Sequence, residues 1–479
     1  MTTFAPGTRP VGPSPTTPTV PTPAFGERGA RTALWHAAAT TVIWLTSLFV
    51  VALWVAGGGV TATLGVNAET LTTLGRLTGL VSANLLLYQV LLMGRIPLFE
   101  RGFGRDAMTR MHRFVGFWSF WLLVAHIVLL VLGYAATAAI NPFVQLWEFI
   151  WNYPGMLLAA AGTLLIVLVV ATSIRRARKK LCYESWHLLH LYAYLGVGLA
   201  LPHQLWTGAD FLSSPVATAY WWIVWAAAAA SVLVFRIGVP LVRSARHGIR
   251  VTAIEPDGDS GVTVRMSGRA LHRLGARAGQ FFVWRFVDGA GWTRGHPFSL
   301  SSAPTGRGLT VAARIGGDGT QRLTTLRPGT RVLIEGPYGH MTGAARKGTK
   351  LLMIGAGAGV APLVALLEEQ AYAPGDATLV TRDHTEAAAL RQDAIRHLAI
   401  HRGLRHVDLS GPRARTASPW LSASHSAWRG PDVIRYLAPD LDTYDVYLCG
   451  PVAWMKAVDK DLRTAGVAGD RIHSEAFTI

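Results

Sequence analysis

Residues 110–130 read RMHRFVGFWSFWLLVAHIVLL. Almost every side chain is apolar or aromatic, and the run is long enough to cross roughly 30 Å of hydrocarbon as a helix. It nevertheless carries His112 and His126. Ionisable side chains at membrane depth are costly and point to function. The two histidines are 14 residues apart. At about 100° and about 1.5 Å per residue they differ by about 40° in direction and about 21 Å in height. They therefore share one helix face at two depths.

Working outward, runs at 33–56, 71–93, 112–133, 155–174, 187–205 and 218–240 predict six membrane spans, the fifth being the least apolar. Arginine and lysine fall on one side only. Arg95, Arg101, Arg105, Arg110 and Arg113 lie in the 94–113 loop, IRRARKKL occupies 174–181, and the sixth span exits into Arg236, Arg243 and Arg246. The segments 57–70, 134–154 and 206–217 contain neither residue. The positive-inside rule then predicts a multi-pass cell-membrane protein with both termini cytoplasmic. The whole 479-residue chain is 51% hydrophobic with 17 tryptophans, which accords with a bilayer as solvent. Its net charge of +17 sits beside apolar runs rather than in basic helices, which argues against nucleic acid. Only Cys182 and Cys449 are present, so a disulfide framework, a zinc knuckle and a cysteine-held iron–sulfur cluster are excluded. Residues 1–30, rich in Pro, Thr and Gly, read as a disordered tail rather than a signal peptide.

The fifth span, within YESWHLLHLYAYLGVGLALPHQ, offers His187, His190 and His203. From His190 to His203 is 13 residues, about 20 Å, so the depths match those of the third span. The directions do not match, since 13 residues turn about 220°. Pro202 can distort the helix just before His203. Buried histidines also serve as pore-lining or hydrogen-bonded structural groups. Four at paired depths favour two b-type haems, the inner held by His112 and His190 and the outer by His126 and His203. Bis-imidazole ligation suits electron transfer. His187 remains a spare or alternative ligand.

Beyond residue 245 the composition changes. Short alternating runs (VTAIE, GVTVRM, GQFFVWRF, LTVAARI, TRVLIEG) predict an antiparallel β-barrel over 246–343. From 344 to 479, KLLMIGAG, APLVALLEEQ, ATLVTR and YDVYLCG alternate as strand and helix, predicting an α/β nucleotide-binding domain on a parallel sheet. The membrane helices would occupy 31–245.

GWTRGHPFSLSSAP, 291–304, resembles the flavin motif of the ferredoxin–NADP reductase superfamily in the form found in NADPH oxidases and ferric reductases. The resemblance implies FAD bound by His296, Pro297, Phe298 and Ser299, and by Arg314, Gly317, Gly319 and Thr320 of RIGGDGTQRL. EGPYG, 335–339, resembles the stretch that ends the flavin barrel. IGAGAGVAPLVALL, 354–367, resembles the superfamily's phosphate loop and implies NAD(P)H held by Gly355, Gly357, Gly359 and Pro362. LCGP implies Cys449, Gly450 and Pro451 at the nicotinamide, with Glu475 and Phe477 of the terminal IHSEAFTI beside the flavin; Thr478 and Ile479 follow that aromatic. Cys449, Glu475 and Phe477 are the candidates nearest the hydride. Arg382 would pair with a 2′-phosphate and favours NADPH, whereas the neighbouring Asp383 suits the ribose of NADH. The histidine spacings and YESWHLLH resemble the ferric reductase transmembrane domain of the same proteins, so the likeness covers about 35–479.

The resemblance implies an NAD(P)H-dependent flavocytochrome b oxidoreductase. Cytoplasmic NAD(P)H would reduce FAD, and electrons would pass through two haem b groups to an extracytoplasmic acceptor, a ferric chelate or O₂. FAD is required because a hydride carries two electrons and haem accepts one. The alternative is a haem-binding membrane component that donates to a partner protein or a quinone.

Overall fold

The computed structural model describes residues 25–65, 68–103, 105–174, 177, 183–289 and 291–476. Helices stand at all six expected positions: α1 (Phe25–Ala56), α3 (Ala68–Met93), α5 (Arg105–Ala138), α7 (Met156–Ser173), α8 (Tyr183–Trp206), and a run of α9 (Pro215–Ala230), a π-helical stretch (Ser231–Gly238) and α10 (Val239–His247). Short helices α2 (Gly59–Thr63), α4 (Pro97–Phe103) and α6 (Pro142–Asn152) lie between them. Helix α1 already includes Phe25–Ala30, the end of the expected disordered tail.

Among the described residues four helical stretches are long and apolar enough to cross a membrane: Ala68–Met93, Ala107–Ala138, Met156–Ser173 and Pro215–His247. In α1 the apolar part is the shorter Thr40–Ala56. Helix α8 falls below that mark because His187, His190, His203 and Gln204 interrupt its apolar character. Large apolar side chains such as Trp44, Phe114, Phe117, Trp121, Leu164 and Ile223 are exposed on these helices, as they are where lipid rather than water is the solvent.

Segment 134–154, expected to be a loop, contains α6. Asn141 caps it, its Oδ1 accepting from Phe143 N at 2.8 Å, and Pro142 occupies the first turn, where the missing N–H costs nothing. Phe143, Trp147 and Trp151 are exposed while Gln145 and Phe149 are buried, the pattern of a helix lying in an interface.

With no hydrophobic drive between helices in lipid, close packing and polar contacts hold them together. Helix α3 packs along α5, and α7 along α8. A methyl group on Gly162 would lie 2.5 Å from Gly196 O, so α7 and α8 approach backbone to backbone. Ser82 Oγ donates to Ser119 O at 2.8 Å, Gln89 Nε2 to Ser119 Oγ at 2.6 Å, and Tyr220 to Asn84 Oδ1 at 2.6 Å. Val50, Leu87, Ile166, Val197 and Trp221 form the apolar centre of the bundle.

Two sheets follow. The first is six-stranded and antiparallel, in the order β4-β3-β6-β1-β2-β5. Its strands are β1 (Arg250–Asp257), β2 (Gly261–Ser267), β3 (Phe281–Val287), β4 (His296–Ser299), β5 (Gly308–Arg314) and β6 (Arg331–Tyr338). A bridge between Leu300 and Val311 brings its two edge strands together. Alternating side chains turn Val262, Val264, Phe282, Trp284, Val311 and Ile334 into one core. Helix α11 (Asp318–Thr324) follows β5.

The second sheet is wholly parallel, in the order β11-β10-β7-β8-β9. Its strands are β7 (Lys350–Ala356), β8 (Ala377–Arg382), β9 (Arg405–Asp408), β10 (Tyr444–Gly450) and β11 (Ile472–Ala476). Helices α12 (Val360–Glu369), α13 (Gln392–Arg402), α14 (Gly430–Leu437) and α15 (Val452–Ala465) accompany them. Strands β7, β8 and β10 are buried on both faces and read as continuous apolar runs for that reason. The strand order reverses between β7 and β10, so the carboxyl ends of these two strands form the crevice where such sheets bind ligands.

Candidate functional site

In the membrane half, His112 of α5 and His190 of α8 face each other with ring centroids 5.9 Å apart and planes at 67°. Two neutral imidazoles at this separation are residues that would hold a haem iron between them. Ser173 Oγ lies 3.3 Å from His190 Nδ1, and the Trp186 ring packs on the same imidazole at 5.0 Å. The second depth carries His126 of α5 and His203 of α8. Nδ1 of His126 is 2.7 Å from Gly75 O. A carbonyl only accepts, so Nδ1 carries the proton and Nε2 keeps its lone pair, the tautomer that a metal-binding histidine needs. Gly79 leaves room for this ring, since a Cβ there would lie 2.3 Å from His126 Nδ1.

The rings of His112 and His190 are thus brought face to face across α5 and α8. Helix α8 runs on through Pro202 without ending. Among the described residues no group of three or more His, Cys, Asp or Glu gathers to hold a bare metal ion, and bis-imidazole ligation of haem does not require one. The His187 side chain lies outside the described residues.

In the first sheet, β4 sets His296 opposite Trp284 and Ser299 opposite Phe281. The His296 and Phe298 rings are nearly parallel, 6.1 Å apart. A Cβ on Gly319 would come within 2.7 Å of the His296 ring, so the two expected flavin motifs abut. Pro297 is exposed beside them. Ser299 is buried with no hydrogen-bond partner for its hydroxyl, an acceptor or donor held ready in the cleft. Thr320 acts locally, its Oγ1 accepting from Gly316 N at 3.0 Å and donating to Gly317 O at 2.9 Å. It shapes the turn that was expected to meet phosphate. Arg314 donates to the Asp383 carboxylate and to Ala388 O, joining the two sheets.

In the second sheet, β7 ends at Ala356, Gly357–Gly359 form a tight turn, and α12 begins at Val360 with Pro362 buried in its first turn. Gly357 has φ +56°, and a Cβ on Gly359 would lie 2.3 Å from Cys449 O. Gly355, Gly357 and Gly359 thus bring the backbone to the reversal point, against Cys449 and Gly450 of β10, with Pro451 capping α15. The Cys449 thiol is buried, donates to Glu475 O at 3.7 Å, and is pushed upward in pKa by that burial. It is therefore a neutral packing group rather than a thiolate. The Glu475 side chain sits over Gly339, whose ideal Cβ would lie 2.6 Å from Oε2. Cys449, Glu475 and the EGPYG turn thus converge. Phe477 lies outside the described residues. Arg382 is buried and donates to Asp383 O, rather than standing in solvent for a 2′-phosphate. Burial raises the Asp383 pKa while Arg314 opposes the rise.

Sequence reasoning missed Gly75, Gly79 and Ser173, which hold the imidazoles. The only signal was a small residue on a neighbouring span, and nothing local says which histidine it will meet.

Residues 78–201 match the family model described as "Ferric reductase like transmembrane component". The chain is 30% identical over 218 residues to the flavohemoprotein of Chromobacterium violaceum, covering 42% of this chain and 52% of that protein. It is 27% identical over 213 residues to the ferredoxin reductase component of the 3-ketosteroid-9-alpha-monooxygenase of Mycolicibacterium smegmatis, covering 43% and 57%. The flavohem-like FAD/NAD binding domain of nitric oxide dioxygenase from Vibrio cholerae aligns with TM-score 0.39 and 20% identity over 48% of this chain and 99% of that one. The chain spans about half the length of the curated relatives it matches. A segment that matches the ferric reductase-like transmembrane component is thus followed in the same chain by a half similar in sequence to a flavohemoprotein and a ferredoxin reductase component.

Proposed function

We propose that this chain is a transmembrane NAD(P)H oxidoreductase that crosses the membrane six times. It takes hydride on the Arg-rich side and delivers electrons to an acceptor, a ferric chelate or O₂, on the other. The observation that carries the reading is the imidazole pair His112–His190 at 5.9 Å; His126 and His203, further along the same two helices, would form the second pair. Bound FAD and haem b would supply the conversion of a two-electron hydride into single electrons. Similarity to a flavohemoprotein and to a ferredoxin reductase component supports FAD and NAD(P)H as the ligands of the soluble half.

The residues fit these groups. His112, His126, His190 and His203 would hold iron, Gly75 O and Ser173 Oγ fixing ring orientation. Ser299, with no hydrogen-bond partner of its own, would bond the flavin, and His296 and Phe298 would line its cleft. Gly355, Gly357 and Gly359, at the N-terminal end of α12, would let dinucleotide phosphates approach the backbone. Cys449 and Glu475 would bound the nicotinamide and exclude water.

The test is to purify the chain with haem and FAD, add NADPH anaerobically, and record the b-type spectrum before admitting O₂ or a ferric chelate separately. Reduction of the spectrum followed by reoxidation by either acceptor is expected. Absence of a bis-imidazole spectrum would remove the reading. Reoxidation by neither, but by a quinone, would favour a membrane electron carrier instead.

A further inference from the structure

Strand β6 carries contacts from several parts of the membrane half to the first sheet. Ser244 of α10 donates through Oγ to Ile334 O at 3.3 Å and accepts from Ile334 N at 2.9 Å. Arg243 donates to Gly336 O. Just past the strand, His340 Nε2 lies 3.2 Å from Glu100 O of α4. In the middle of this seam, buried Glu335 uses both oxygens. Oε1 pairs with Arg95 Nε at 3.3 Å and accepts from Tyr338 at 3.4 Å, while Oε2 pairs with Arg285 Nη1 of β3 at 3.2 Å.

Arg95 follows the end of α3 and so belongs to the membrane half, whereas Arg285 belongs to the sheet. The Arg95 guanidinium also lies over the Tyr338 ring, 4.5 Å from the centroid, a cation–π contact that is stronger when desolvated. To reach this position Arg95 takes φ +60°, a left-handed conformation that side chains other than glycine disfavour. Burial alone would raise the Glu335 pKa, but Arg95 and Arg285, with Arg236 further off, hold it below the usual carboxylate range. The carboxylate thus stays charged, and it is the counterion that lets two arginines from different halves approach.

We propose that Glu335, shared between Arg95 and Arg285, is a positioning residue. It clasps the flavin-bearing sheet to the membrane half at the separation that electron transfer to the His112–His190 pair requires. This rests on the function proposed above. Each electron lost by reduced flavin is one gained by the inner haem, so no further oxidant or reductant is needed.

Without the carboxylate, two partly buried guanidiniums would face each other, and Arg95 would lose its ion pair across the seam. A shift of about 1 Å in a positioned donor can cost on the order of a hundredfold in rate.

The test uses the full chain in lipid nanodiscs, comparing Glu335→Gln, Arg95→Met and Arg95→Lys with the parent. Three quantities are read: NADPH-driven flavin reduction, the subsequent rate of haem reduction, and hydrogen exchange of residues 94–103 and 331–340. Glu335→Gln and Arg95→Met should slow haem reduction at least about tenfold, with FAD content and flavin reduction unchanged and exchange faster in both segments. Arg95→Lys, which keeps the charge, should recover part of the rate. Unchanged haem reduction in both neutral variants would overturn the proposal, as would equal loss of flavin reduction. If the parent itself shows no haem reduction, the proposed function has failed. The exchange measurement then still decides whether Glu335 clasps the two halves.

Discussion

Replacing Gly79 with alanine isolates one imidazole. An ideal Cβ at this position lies 2.3 Å from His126 Nδ1 and 2.6 Å from Cε1, against an ordinary separation of about 3.5–4.0 Å. The ring must retreat by more than about 1 Å, and its 2.7 Å bond to Gly75 O cannot survive that movement. Overpacking costs about 1–3 kcal/mol and the lost hydrogen bond about 0.5–1.5 kcal/mol. Alanine returns about 1 kcal/mol through helix propensity, so about 2 kcal/mol remains against the native ring position. That is roughly a thirtyfold loss of occupancy at the outer site, within the roughly 10–100-fold that follows removal of a supporting partner from a metal ligand. The assay is haem per polypeptide with the oxidised and reduced spectra of the purified variant. About half the haem should be lost, with the His112–His190 signal kept. Gly198→Ala is the control, because nothing lies within 4 Å of its Cβ. Full haem content in Gly79→Ala, with an unchanged outer midpoint potential, would refute the reasoning.

Other consequences follow from the same geometry. Buried Asp445 accepts from His473 Nε2 at 2.7 Å, from Lys347 N at 2.8 Å and from Gly348 N. Burial raises its pKa, but these bonds hold it below the ordinary carboxylate value. Its stabilisation is therefore full above about pH 4 and lost as pH falls through the lower folded-state value. Asp445→Asn should cost about 1–3 kcal/mol at neutral pH and flatten the acid limb of a thermal-unfolding series; an unaltered limb would exclude this carboxylate. Since burial raises the Cys449 pKa, alkylation at pH 8 should be far slower than for a free thiol, as read by mass spectrometry, unless the sheet opens. Arg314 is held by the Asp383 carboxylate and Arg382 by the Asp383 main-chain carbonyl, so Asp383→Ala should release Arg314 and remove the carboxylate charge beside Arg382 while leaving the Arg382 hydrogen bond in place. It should raise the preference for NADPH over NADH by roughly tenfold in kcat/KM, and an unchanged ratio would place the 2′-phosphate elsewhere.

The helices were legible because their signal is local. Apolar length places a span, and the spacing of His112 and His126 places two rings on one face whatever surrounds them. Helix α6 was missed although Asn141–Pro142 is a cap followed by a first-turn proline; its aromatic composition masked that signal. Helix α8 read weakly because its polar groups face other helices, where membrane crossing depends on packing as well as on hydropathy. The within-chain partners of Thr320 and Arg314 were not legible, because a hydroxyl's bond to its own turn and an arginine's bond to an aspartate on another sheet leave no mark in the local sequence.

By itself, the sequence determined the order of apolar helices, antiparallel strands and parallel strands, and the motifs from which candidate site residues are read. Each of these depends on periodicity or on a motif within a few turns of chain. Only the tertiary structure decided that His112 meets His190, that Gly75 fixes the tautomer of His126 from another helix, and that Glu335 joins Arg95 to Arg285. These are contacts between segments far apart in the chain, and their geometry depends on how closely the helices and sheets pack.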